Sequence, residues 1–209
     1  MNFVNFLRRR LVLLSVVVFG VVACGSDPAP VVGGNTISTL SGTAATGLPL
    51  YPATITILGA NGIKVTTVTD VNGVYNQDVS TLTPPYLLRV ADPVSGSGYI
   101  YSVATSAGTA NIHPFTDLII RNWYQVQGMD VGNIFDGTGT ATPPTLIGIN
   151  TIEAVISNIL ATSMANAGLP ANFNLLTSPF PADRTGFDQV LDITNVAITA
   201  TGSVSVNAT

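Results

Sequence analysis

The sequence predicts a mainly β protein with added α-helix: a β-sandwich, then a smaller helical region, then a C-terminal β-hairpin. Apolar and polar residues alternate in short runs between residues 37 and 112. Turns rich in Gly and Asn separate those runs. After residue 112 the apolar spacing lengthens to the three-and-four pattern of a helix. Composition bounds the rest: of 209 residues, 46% are hydrophobic and only 9% are charged. That balance excludes a long disordered tail and a basic nucleic-acid binder, and a single cysteine excludes a disulfide framework.

The first element is a leader over residues 1–23. Arg8, Arg9 and Arg10 precede the uncharged run Leu11 to Ala23, and 13 residues fall short of a membrane-spanning helix, which needs roughly 20. A basic start and a short apolar run are the flanks of a secretory signal. The stretch Val21-Val22-Ala23-Cys24 resembles the lipobox of bacterial lipoproteins. The resemblance implies cleavage before Cys24, acylation of its sulfur and amine, and a partner in the lipid bilayer. With Gly25 rather than Asp after the cysteine, the resemblance further implies delivery to the outer membrane of the cell envelope, where the organism has one. Each buried acyl methylene stabilises membrane binding by about 0.8 kcal/mol, so two or more chains anchor stably.

Residues 24–36 follow as a spacer, because GSDPAPVVGG from Gly25 to Gly34 has no periodicity and is rich in Pro and Gly. Ordered structure is expected from about Ile37.

Residues 37–112 carry the strands. Apolar residues alternate in Thr54-Ile55-Thr56-Ile57 and in Ile63-Lys64-Val65-Thr66, with Asn61-Gly62 between them. Asn-Gly tolerates positive φ, so these strands are expected to pair as a hairpin. Asp70-Val71-Asn72-Gly73 supplies a second turn, and Val74-Tyr75, Tyr86 to Ala91 and Tyr99 to Thr105 supply further strands. Ser41-Gly42-Thr43, Ala53 to Ile57 and Thr69-Asp70-Val71-Asn72-Gly73-Val74-Tyr75 together resemble the carboxypeptidase regulatory-like, or transthyretin-like, β-sandwich, a fold related to Ig-like sandwiches. The resemblance implies an accessory module, and its motifs are turns and core positions rather than catalytic groups.

The helical region spans residues 113–209. Pro114 can open a helix, Phe115, Leu118, Ile119, Trp123 and Val126 recur at helical spacing, and Gly128 ends it. Met129 to Thr145 reads as a loop. A second helix is expected with Asn150 as cap, Glu153 completing a capping box, and Ile152, Val155, Ile156, Ile159, Leu160 and Met164 on one apolar face. A short helical turn around Phe187 to Leu191 then leads to strands at Val196 to Thr199 and Val204 to Val206, turning at Thr201-Gly202.

Without residues 1–23 the chain keeps Lys64, Arg89, Arg121 and Arg184 against eleven acids, a formal charge of −7. Such a surface repels phosphate backbones, so no nucleic-acid partner is expected. Catalysis near neutral pH could use only His113, which with Asp117 and Ser102 or Ser106 makes a nominal trio. No nucleophile elbow surrounds either serine. His113 before Pro114 reads instead as a junction residue that satisfies a backbone group.

No cofactor or metal is expected. Zinc and iron need more His and Cys than the chain has, and Asp183, Asp188 and Asp192 or Asp130 and Asp136 do not match a calcium loop. Tyr99, Tyr101 and Trp123 are the candidate ligand-binding residues, as aromatic rings able to stack on a sugar. The competing reading packs Trp123 and one tyrosine face into the core.

The expected function is that of a membrane-anchored, exported lipoprotein in a non-enzymatic binding or structural role, with a glycan or protein partner. Assembly through the uncharged C-terminal strand and hydrolysis of an unknown substrate are the alternatives.

Overall fold

Alternation of buried and exposed residues builds the sheets. In the computed structural model, residues 38–92, 98–137, 143–198 and 204–208 are described; the leader, Cys24, the spacer up to Ile37 and the Thr201-Gly202 turn lie outside them. Thr36–Thr209 forms one compact unit. Among the described residues, both buried hydrophobic clusters lie within it.

Strands β2 (Thr54–Gly59) and β3 (Lys64–Val68) pair antiparallel, with Leu58 opposite Lys64. Asn61-Gly62 lies in their turn, and Gly62 has φ +78°. Strands β5 (Tyr86–Ala91) and β6 (Tyr99–Ala104) extend this into a four-stranded sheet of order β3-β2-β5-β6. The second sheet places β1 (Thr39–Thr43) between β4 (Val74–Asp78) and β7 (Gly108–Thr109).

Two glycines are required here. Gly73 sits at φ +73° in a turn where Asp70 Oδ1 accepts from the N–H groups of Asn72 and Val74, each at 2.9 Å. A Cβ on Gly42 would lie 2.1 Å from the Ala110 carbonyl oxygen, so only glycine admits that approach.

The two sheets share one cluster. Leu40 and Tyr75 from the first sheet join Ile55, Ile57, Leu88, Val90 and Ile100 from the second. Full burial of each such side chain contributes about 1.5–3 kcal/mol. The opposite face of the four-stranded sheet is also covered. Leu87, Tyr101 and Val103 pack there with helix α1 (Pro114–Gln125), helix α2 (Val131–Phe135) and helix α3 (Leu146–Asn166). Strands β5 and β6 are therefore apolar on both sides, which explains their near-continuous hydrophobic runs.

The helices depart from expectation in three places. Helix α2 occupies part of the predicted 129–145 loop, capped by Asp130, whose Oδ1 accepts from Asn133 N–H at 3.0 Å. Helix α3 begins at Leu146, with Thr145 rather than Asn150 as its cap. Its buried face is Ile149, Glu153, Ile156, Leu160 and Met164, while Val155 and Ile159 are exposed. Val126 is exposed at the C-terminal cap of α1 rather than on its buried face, which instead includes Ile120 and Tyr124.

Helix α4 (Gly186–Ile193) contributes Phe187, Val190 and Leu191 to the helical cluster. Strands β8 (Thr194–Ile198) and β9 (Val204–Ala208) pair antiparallel. Among the described residues the structure is thus mixed α/β: seven strands in two sheets, the β8–β9 pair, and four helices.

Candidate functional site

Arg89 is the charge within the run Leu87-Leu88-Arg89-Val90, and strand alternation puts it on the helix side of β5 with Leu87. Its guanidinium carbon stands 4.2 Å from the ring centroids of both Tyr99 and Phe135. Its Nη1 also donates to Asp136 Oδ1 at 2.7 Å. A planar cation held between two rings and a carboxylate is a site for Arg rather than Lys. Lys64 Nζ approaches the Phe135 ring at 5.1 Å.

Arg121 builds the adjoining part. Its Nε donates to Asp117 Oδ2 at 2.7 Å across one helical turn, its Nη2 donates to the Tyr99 carbonyl at 2.8 Å, and it lies 4.9 Å from the Tyr101 ring. Asp117 Oδ1 accepts from the Tyr101 N–H at 2.9 Å, which ties α1 to β6. Burial raises the Asp117 carboxyl above the ordinary range against the opposing pull of Arg121. Burial likewise raises the Tyr101 phenol, so it stays protonated and neutral.

The predicted aromatic residues differ in exposure. Tyr99 is exposed, with its ring 6.2 Å from that of Tyr101. Tyr101 is 3% exposed and packs edge-on against Phe135 at 6.0 Å. The two do not form an open row, because α1 and α2 cover this face of β6. Trp123 is half-buried on α1 and lies against Gly148 of α3, where a Cβ would come within 1.9 Å of its Cζ3. Its indole Nε1 is buried without a hydrogen-bond partner. Cys24, the predicted lipidation residue, lies outside the described residues.

His113 is a structural cap. Its Nδ1 accepts from the Thr116 N–H at 3.3 Å, so the ring proton resides on Nε2, which donates to the Leu175 carbonyl at 2.7 Å. Thr116 Oγ1 accepts in return from the His113 N–H at 3.0 Å. The ring is surrounded by Phe115, Phe180 and Phe187. Burial pushes its pKa down to about 4, against the upward pull of the Leu175 hydrogen bond. Ser102 Oγ donates to the Asn111 carbonyl at 2.6 Å, and Asp117 is engaged by Arg121 and Tyr101, so neither of these two side chains is hydrogen-bonded to the His113 ring.

Among the described residues no cluster of three or more His, Cys, Asp or Glu is arranged to hold a metal ion. Asp188 accepts from the Arg184 N–H through Oδ2 at 2.8 Å and leaves Oδ1 buried and unpaired. Burial raises its pKa.

Comparison with protein-family models, curated proteins and solved structures finds no match to this chain.

The Arg89–Phe135 grouping was not anticipated from the sequence. Its signal was available: with four cations after Cys24, an arginine inside an apolar strand demands partners.

Proposed function

We propose that the chain is an exported lipoprotein, held to the cell envelope at the outer membrane through acylated Cys24, with a binding or structural role and no catalysis. The observation that carries this reading is the order Arg8-Arg9-Arg10, thirteen uncharged residues, then the chain's lone cysteine. His113 supports the non-catalytic half, because both ring nitrogens serve backbone groups. The proposed module over residues 37–112 is a carboxypeptidase regulatory-like sandwich. A cluster shared between two sheets, together with the Asp70–Gly73 turn, supports it. Tyr99 is the exposed ring among the three proposed ligand residues.

The test is metabolic labelling with a palmitate analogue followed by mass spectrometry of the purified N-terminus. Acyl chains on Cys24, lost in Cys24→Ser, are expected. An intact, unlipidated leader overturns the proposal.

A second reading is assembly through the C-terminal strand. Strands β8 and β9 form a sheet of two, and each has an outer edge that no described strand pairs. Gel filtration of the Thr36–Thr209 unit checks it. A mass independent of concentration and equal to one chain rules it out.

A further inference from the structure

Three of the four cations that follow Cys24 gather around one pair of rings, Tyr101 and Phe135. Arg89 and Arg121 are each matched by a carboxylate at 2.7 Å, and Arg184 has Asp192 at 3.8 Å. Lys64 has no carboxylate within ion-pair distance among the described residues. It lines a cavity of about 320 Å³ whose walls include Leu58, Leu87, Tyr124, Ile134 and Phe135.

Lys64 is the one charged residue among the described lining residues. Tyr124 stays protonated, its pKa pushed up to about 12 by burial. Because Lys64 is exposed on β3, the cavity reaches solvent beside an ammonium. A surface with net negative charge disfavours anions generally. An unmatched cation next to apolar walls reverses that locally and favours a molecule with both characters.

We propose that this cavity binds a small amphiphilic monoanion, an apolar aliphatic or aryl body carrying one carboxylate or sulfonate, with Lys64 as its counter-ion. The apolar body lies against Leu58, Leu87 and Ile134, and the anionic group stays at the solvent side by Lys64. The inference gives the proposed binding role a ligand class. It does not depend on acylation of Cys24, since every described lining residue belongs to the Thr36–Thr209 unit.

The experiment titrates that unit with the fluorescent sulfonate 8-anilinonaphthalene-1-sulfonate, then displaces it with decanoate or with uncharged decanol. Saturable binding of one probe per chain is expected, with decanoate the better competitor. Lys64→Met weakens probe and decanoate by about threefold to fivefold, the range of a solvent-screened ion pair, and leaves decanol unchanged. Lys64→Arg restores the preference. Ala60→Trp, at an exposed turn residue of the cavity wall, weakens all three ligands. Unsaturable binding, or a decanoate preference that survives in Lys64→Met, overturns the proposal. A labelling experiment that finds no lipid on Cys24 leaves it standing.

Discussion

His113 and Glu153 grip the same residue from opposite sides. The imidazole Nε2–H donates to the Leu175 carbonyl at 2.7 Å, while Glu153 Oε1 accepts from the Leu175 N–H at 3.0 Å. One residue caps α1 and the other stands in the middle of α3, so the segment between α3 and α4 is fastened to both helices. Neighbouring bonds extend the tie to the sheets: Asn111 N–H donates to Leu176, Asn111 Nδ2 to Ser178, and Thr43 Oγ1 to Phe180.

Glu153→Ala removes the acceptor for the Leu175 N–H and for Ser157 Oγ. An unpaired buried donor costs about 1–3 kcal/mol. Urea unfolding of Glu153→Ala is expected to show that loss. Glu153→Gln, whose amide oxygen can still accept, is expected to retain most of the stability.

Folding stability should fall as acid is added. His113 is held at about 4 in the folded chain, below its ordinary 6.5, so the unfolded chain takes up the proton first. The contribution is full above 6.5 and declines as pH falls towards 4, by up to about 3 kcal/mol. Asp117 and Asp188, both raised by burial, act in the opposite sense. Denaturation midpoints measured across this window for the wild type and for His113→Asn separate the two effects. The histidine contribution is the part of the slope that disappears in the variant.

Gly148→Ala pits propensity against packing. Alanine in a helix gains about 1 kcal/mol over glycine. Here the added Cβ would sit 1.9 Å from Trp123 Cζ3, and overpacking of this kind costs about 1–3 kcal/mol. The expected outcome is a net loss in thermal stability, with a shift in Trp123 fluorescence. A variant more stable than the wild type would contradict this packing.

Arg89 is expected to matter more than its carboxylate partner. Asp136 is more than half exposed, so Asp136→Asn should cost under about 1 kcal/mol. Arg89→Met also forfeits the cation–ring contacts with Tyr99 and Phe135, each worth roughly 0.5–1 kcal/mol. A double-mutant cycle in urea tests the order, and equal costs for the two single variants would argue against the ring contribution.

Strands were the most legible part of the sequence, because period-two alternation and Asn61-Gly62 act locally. The buried and exposed faces of α3 were less so, since the uncharged Asn150, Thr151, Asn158 and Thr162 mark its outer side only weakly and its one charge, Glu153, is buried. Glu153 reads as a capping residue in sequence and is instead an internal acceptor, a role set by Leu175, which is 22 residues away. Helix α2 was hidden by its Gly-rich flanks, although Asp130 was available as its cap. The Tyr99 and Tyr101 alternation placed both rings on one side of β6, but not the helices that cover Tyr101 there. The Arg89 grouping joins β5, β6 and α2; the apolar run around Arg89 signals that it needs partners, but nothing local says that they are Tyr99, Phe135 and Asp136.

The double coverage of β5 and β6 bears on the order in which the polypeptide emerges. A product halted after Ile112 would have every strand of both sheets yet leave Leu87, Tyr101 and Val103 bare, because their covering helices come later in the chain. Such a fragment would be prone to clump rather than remain dispersed as a smaller version of the whole.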